Sequence, residues 1–146
     1  MSGPITKNTE VGEEFAGKPK KMSWERLWTF SGGAFASYGW PKKNLHTDLE
    51  FSRNLGLPTV GASATQYLGH MAEFMMDLFG EGWLSHGKVN NVKFIKLVPN
   101  GDVLTPKAKV VGKEKKGPQV QFDLEIRTIN QNGDAVLIGT ATGHIL

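Results

Sequence analysis

The sequence of 146 residues contains no cysteine and no apolar run long enough to cross a membrane. The absence of cysteine excludes disulfides, thiolate nucleophiles and metal sites with cysteine ligands. No glycine-rich nucleotide motif follows a predicted strand, and the four histidines lack the spacing of metal ligands. We therefore expect neither a nicotinamide or flavin cofactor nor a bound metal ion.

The composition is typical of a soluble globular domain. Hydrophobic residues make up 39% of the chain and charged residues 21%, which is sufficient for one core at this length. Residues 1–4 lack the charged and apolar regions of a secretion signal, so we expect a cytoplasmic protein. The net charge is +3, but no nucleic-acid motif accompanies the lysine clusters. We expect no nucleic-acid partner and no membrane association.

The strongest periodic signal lies between Ser63 and Phe79. Apolar residues recur there at steps of three and four, the spacing of one helical face, at Ala64, Tyr67, Leu68, Met71, Phe74, Met75 and Leu78. This spacing predicts one long helix that ends at Gly80. A shorter helix is predicted after Ser23, and it ends at the glycine pair 32–33.

Strand patterns dominate the rest of the chain. Apolar and polar residues alternate from Val120 to Arg127, and Asn132-Gly133 predicts a tight turn into a second strand over 135–146. Further strands are predicted at 89–98, 104–111 and near 14–20. Residues 1–9 are expected to be flexible, with a single domain over 10–146. The prediction is an α+β fold with an antiparallel sheet around one long central helix.

His46 directly precedes a predicted helix start. Thr47 and Glu50 have the spacing of a capping box, and Gly56 supplies the end of a short helix. An imidazole at such a boundary can be oriented by the backbone while its ring stays accessible to a ligand. A surface histidine that merely precedes a helix is the alternative.

Five segments occur in the order seen in the MaoC-like dehydratases. They are Val11–Glu14, Met22–Phe30, His46–Asp48, Phe94–Leu104 and Asn130–Asp134. Over nearly its whole length the chain resembles the (R)-specific enoyl-CoA hydratases of this family. The resemblance implies a hotdog fold and an acyl-CoA hydratase or dehydratase that acts on a 2-enoyl or 3-hydroxyacyl thioester.

The chain departs from those hydratases at one catalytic position. There, an aspartate ahead of the histidine shares the acid/base work. Here Pro41 or, with the alignment set on Gly39, Trp40 occupies that position, and neither side chain can carry a proton. Asp48 is the carboxylate closest in sequence, and its place in the first helical turn predicts a structural role.

We therefore expect His46 to be the acid/base, with Asn44 or Tyr38 positioning a water molecule. The unpaired amides at a helix start favour negative charge and can hold a thioester oxygen. The predicted donors precede the long helix, at Gly61, Ala62 and Ser63. Small residues there can also serve only close packing of the helix against the sheet.

Three further residues are predicted to bind the substrate. Trp40 belongs to an aromatic cluster that can wall an acyl pocket, with core packing as the alternative. Lys42 and Lys43 flank the predicted site, where their charge can attract the phosphates of coenzyme A.

Two other functions remain open. A hotdog thioesterase often carries a carboxylate on the central helix, and Glu73 or Asp77 has that position. The chain can also be a non-catalytic, acyl-binding subunit whose partner carries an intact dyad. Hotdog sheets commonly join edge to edge, so we expect at least a homodimer, with a second hotdog subunit as a further option.

Overall fold

The structure, a computed structural model, describes residues 5–32 and 43–146. The described residues form six strands and four helices, in chain order β1 Glu14–Ala16, β2 Lys20–Lys21, α1 Trp24–Ser31, α2 Leu49–Asn54, α3 Ala64–Phe79, α4 Gly82–His86, β3 Lys88–Phe94, β4 Val103–Lys116, β5 Gln119–Ile129 and β6 Ala135–Ile145.

The strands form an antiparallel sheet in the order β1-β4-β5-β6-β3, and β2 pairs with β4 outside this path. The hairpin between β5 and β6 contains Gly133 at φ +82°, where a residue with a side chain would be strained. Alternation along β5 directs Phe122, Leu124 and Ile126 into the core. One sheet face is therefore apolar, as the sequence predicted.

Helix α3 packs on that apolar face. Its buried residues include Tyr67, Met71, Phe74 and Met75, and they belong to one core cluster with the inner residues of β4, β5 and β6. Gly80 ends the helix, and its N–H donates to the carbonyl of Met76 at 2.7 Å. This is the hotdog arrangement, so the predicted fold class is confirmed.

Most predicted elements are present, with shifted ends. Helices α1 and α3 begin and end within a residue of the prediction, whereas β4 continues to Lys116 and β3 stops at Phe94. Helix α4 was not predicted, because five residues are too few to show a helical period. Close packing fixes its C-terminal end at Gly87. A Cβ atom at this position would lie only 2.3 Å from the Trp83 ring, so no larger residue fits there.

The chain contacts the core from Ile5 onward. Ile5 is 3% exposed, and its N–H donates to the carbonyl of Leu78 at 2.9 Å. Thr9 is buried as well, and its hydroxyl accepts from the N–H of Thr6. Ile5 is thus held at the end of α3, whereas residues 6–8 are exposed. The flexibility predicted for residues 1–9 stays a prediction.

Candidate active site

His46 lies in the turn before α2, and its ring is held by the segment that leads into α3. The Nδ1 atom is 2.7 Å from the carbonyl oxygen of Gly61. Because a carbonyl oxygen can only accept, Nδ1 carries the proton, and Nε2 of the neutral ring presents a lone pair. No side chain or backbone group of residues 5–32 and 43–146 hydrogen-bonds to Nε2. The nitrogen suited to act as a base is thus left for a ligand.

Asn44 fixes the backbone of the same turn. Its Oδ1 accepts from the N–H of His46 at 2.9 Å, and its Nδ2 donates to the carbonyl of Ser31 at 3.0 Å. The side chain is 8% exposed. It therefore connects the last residue of α1 to the His46 turn, while the water-holding role of Asn44 stays a prediction.

The predicted capping box of Thr47 and Glu50 is wrong. The N-cap of α2 is Asp48, whose Oδ1 accepts from the N–H of Phe51 at 2.8 Å. Thr47 is buried instead, and its hydroxyl accepts from the N–H of Asn44 at 3.0 Å. Two capping residues stand side by side in the sequence, and burial of Thr47 decides between them. Asp48 has the structural role that was expected of it.

The segment before α3 uses two of the amides that were predicted to hold a thioester oxygen. The N–H of Gly61 donates to the carbonyl of Leu45 at 3.2 Å, and that of Ala62 to Val98 at 2.7 Å. These bonds anchor the segment, so the predicted donor role of Gly61 and Ala62 is corrected. Gly61 contributes through its carbonyl, which orients His46.

Unused amides begin at Ser63. Among the described residues, no acceptor contacts the N–H groups of Ser63, Ala64 and Thr65. Ser63 is the N-cap but makes no side-chain cap bond, since its hydroxyl contacts that of Thr65 at 2.9 Å. A helix start with free N–H groups carries partial positive charge. This end of α3 is therefore suited to an oxyanion.

The other predicted binding residues fall into two groups. Tyr38, Trp40 and Lys42 lie outside the described residues. Lys43 lies at the edge of the His46 turn, highly exposed, with its Nζ 3.8 Å from Asp48 Oδ2. An exposed pair at this distance contributes little stability, so the ammonium group is available to a ligand.

The helix carboxylates that suggested a thioesterase are not brought to His46. Glu73 forms an ion pair with Lys20 of β2, and this pairing lowers the pKa of its carboxyl group. Glu73 is ten residues beyond Ser63, about 15 Å along a helix axis. Asp77 is one turn farther and exposed.

Sequence reasoning missed Gln66, which is buried in the first turn of α3. Its Nε2 donates to the carbonyl of Arg26 in α1 at 3.1 Å, so it links the two helices. A signal was present, because Gln66 is a polar residue beside Tyr67 on the core-facing side of an otherwise apolar helix.

Within residues 5–32 and 43–146, no group of three or more histidine, aspartate or glutamate side chains is placed to hold a metal ion. No helix among them is long and apolar enough to span a bilayer.

The fold and this site define a hotdog protein with a histidine beside the start of its central helix. The profile of the family described as a MaoC like domain matches residues 10–132. The chain therefore belongs to the MaoC-like family, as its resemblance predicted. No curated protein matches it in sequence.

Solved structures agree with this fold. The MaoC-like dehydratase from Rhodospirillum rubrum is 15% identical with a TM-score of 0.75, and the match covers 99% of this chain and 97% of that one. The (R)-hydratase from A. caviae involved in PHA biosynthesis is 18% identical with a TM-score of 0.71, over 97% and 99%. A chain of the HadBC (3R-hydroxyacyl-ACP dehydratase) complex from Mycobacterium tuberculosis is 14% identical with a TM-score of 0.67, over 96% and 100%. At such identities the likeness establishes the fold alone.

Proposed function

We propose that the chain is an acyl-CoA hydratase or dehydratase that adds water to a 2-enoyl thioester or removes it from a 3-hydroxyacyl thioester. The observation that carries the proposal is the bond from His46 Nδ1 to the carbonyl of Gly61. It sets the tautomer and leaves Nε2 as a base beside the start of α3. Membership of the MaoC-like family supports the reaction class.

In hydration, Nε2 of His46 takes a proton from a water molecule while the water oxygen bonds to C3. The electron pair of the double bond moves toward the thioester, and negative charge develops on the carbonyl oxygen. The N–H groups of Ser63, Ala64 and Thr65 stabilise that charge. The imidazolium then returns its proton to C2, so a single residue serves in turn as base and acid.

Hydration of crotonyl-CoA, followed by loss of the enoyl absorbance, tests this proposal. His46→Ala should lower kcat by a factor of about 10²–10⁴, the usual contribution of a positioned acid/base. His86→Ala is the matched control, because His86 is an exposed histidine of the short helix α4. Equal turnover by wild type and His46→Ala would rule out His46 as the acid/base.

A second candidate function is a non-catalytic, acyl-binding subunit. It is favoured by the lack of a free carboxylate close to His46 among the described residues, since Asp48 caps α2 and Glu73 lies farther along α3, paired with Lys20. Residues 33–42 contain neither aspartate nor glutamate. This candidate predicts an inactive isolated chain that gains crotonyl-CoA turnover with a partner subunit that carries the aspartate. A thioesterase would instead release free coenzyme A thiol from an acyl-CoA.

The partner surface of a homodimer is proposed at β3. This strand is at the edge of the sheet, and its last residue, Phe94, together with Ile95 and Leu97 just beyond it, exposes 44–49% of its surface. An open edge next to apolar side chains favours pairing with a second copy. Lys43, and Lys42 beside it, are proposed to contact the phosphates of coenzyme A.

A further inference from the structure

Four hydrogen bonds, together with α1 and the segment before α3, connect Gln66 with the His46 turn on both sides. On one side, Gln66 Nε2 donates to Arg26 of α1, and the last residue of α1 accepts from Asn44, which holds the N–H of His46. On the other side, the His46 ring bonds to Gly61, five residues before Gln66. The Gln66 side chain is therefore built into the same unit as the imidazole.

One atom of this side chain has no partner. Gln66 is 7% exposed, and no donor within residues 5–32 and 43–146 reaches its buried Oε1. The orientation of the amide is fixed, because the Arg26 carbonyl can only accept and must face Nε2. A buried acceptor without a donor costs free energy, which native proteins rarely leave uncompensated.

A second unpaired atom lies on the same face of α3. The Nδ1 atom of His70 is buried, and no group of the described residues hydrogen-bonds to it. His70 follows Gln66 by four residues, and side chains at this spacing are neighbours on a helix. This face of the helix thus has two unpaired polar groups one turn apart.

We propose that Gln66 Oε1 accepts a hydrogen bond from the oxygen at C3 of the substrate. That oxygen belongs to the attacking water in hydration and to the 3-hydroxyl group of the product. The inference rests on the proposed function, in which the thioester oxygen lies on the first-turn amides of α3. Helical side chains lean toward the N-terminus, which directs Gln66 to that turn.

The chemistry of an amide oxygen excludes the thioester oxygen as its partner. Both oxygens are acceptors, so Oε1 requires a donor such as an O–H group. The oxygen at C3 is such a donor, and C3 is two bonds from the thioester carbonyl carbon. Gln66 orients this oxygen without exchanging a proton, which leaves proton transfer to His46.

Equilibrium binding to two ligands that differ by one hydroxyl group tests the inference. In a His46→Ala background, which prevents turnover, 3-hydroxybutyryl-CoA should bind more tightly than butyryl-CoA. Gln66→Met should reduce this preference by about five- to tenfold, the value of one hydrogen bond. Gln121→Met is the matched control, because Gln121 lies in β5 and bonds only to Lys116 and Asp123 among the described residues.

The possible failures are distinguishable. If the preference is unchanged in Gln66→Met, this inference is wrong while the proposed function stands. If the His46→Ala chain binds neither thioester, the proposed function is wrong and the inference with it. A crystal structure with 3-hydroxybutyryl-CoA requires no change at Gln66. It should place the hydroxyl oxygen within about 3.2 Å of Oε1, and a separation above about 4 Å would refute the contact.

Discussion

The two ends of α3 differ in how completely their groups are satisfied. At its start, within the part of the chain that the structure describes, Ser63 makes no side-chain cap bond and the buried oxygen of Gln66 has no donor. At its end, Phe79 stacks on Trp83 with ring centroids 5.8 Å apart, and the N–H of Gly80 closes the last turn. One continuous helix thus joins an under-satisfied polar end to a closely packed apolar end.

This contrast indicates a division of roles. Apolar burial at the C-terminal end supplies stability, because each buried aromatic ring removes a large area from water. Unpaired groups at the N-terminal end cost stability and are retained where a ligand can satisfy them. The stability gained by apolar packing at the C-terminal end of α3 therefore offsets the cost of the unpaired polar groups at its N-terminal end.

The largest effect is expected at the apolar end. Phe79→Ala should lower the free energy of unfolding by about 3–5 kcal/mol, because it leaves a cavity among Trp83, Phe122 and Gly143. Urea unfolding measures this loss. The folded fraction should still bind acyl-CoA as the wild type does, since the proposed site is at the opposite end of α3.

Met76→Ala is the control for that substitution. Met76 is on the same part of the helix but 42% exposed, so it should cost much less. A similar loss in both variants, or a loss of binding by folded Phe79→Ala, would contradict the division of roles along α3.

A smaller effect of opposite sign is expected at the polar end. Ser63→Asp should raise the free energy of unfolding by about 0.5–1 kcal/mol, since a carboxylate can cap the free N–H groups and complement the helix dipole. The same charge should oppose the developing oxyanion and lower kcat about a hundredfold. Unfolding and crotonyl-CoA hydration are measured on the same preparations.

Ser63→Ala is the matched control, because the Ser63 hydroxyl makes no cap bond that could be lost. It should change both stability and kcat little. If Ser63→Asp kept full activity, the first-turn amides would not be the groups that hold the thioester oxygen.

The smallest effect concerns pH and His70, between the two ends. Burial lowers the pKa of His70, and Lys20 and Arg26 lower it further against the opposing effect of Glu73. Between this lowered pKa and about 6.5, the ordinary pKa of histidine, the unfolded chain therefore binds more protons than the folded chain. Stability is intact above that pH and declines as the pH falls through the lowered folded pKa.

His70→Gln should remove this part of the acid loss, worth less than about 1 kcal/mol because the ring is only partly buried. Urea midpoints at pH 7.5 and 5.5 measure it. Parallel declines in wild type and variant would show that other groups control the acid side of the stability profile.

Local patterns predicted the elements that extend over several periods. The apolar stripe of α3 and the alternation in β5 are unambiguous, because each repeats at least three times. Helix α4 and the choice of Asp48 over Thr47 as N-cap were missed, since each depends on which side chain the surrounding fold buries. The acid/base role of His46 stays a prediction. Gln66 was missed, because the burial of its amide depends on the packing of α1 on α3.

The sequence by itself determined the long helix and the strands, since composition and period are local properties, and its resemblance to the MaoC-like dehydratases indicated the hotdog fold and the family. It also determined the lack of any carboxylate in residues 33–42. Only the tertiary structure decided that Gly61 offers its carbonyl, and not its N–H, to the site. It also decided that, among the described residues, the helix amides without an acceptor begin at Ser63. The physical reason is that a hydrogen bond between distant segments is decided when the chain packs, and each backbone group so used is no longer available to a ligand.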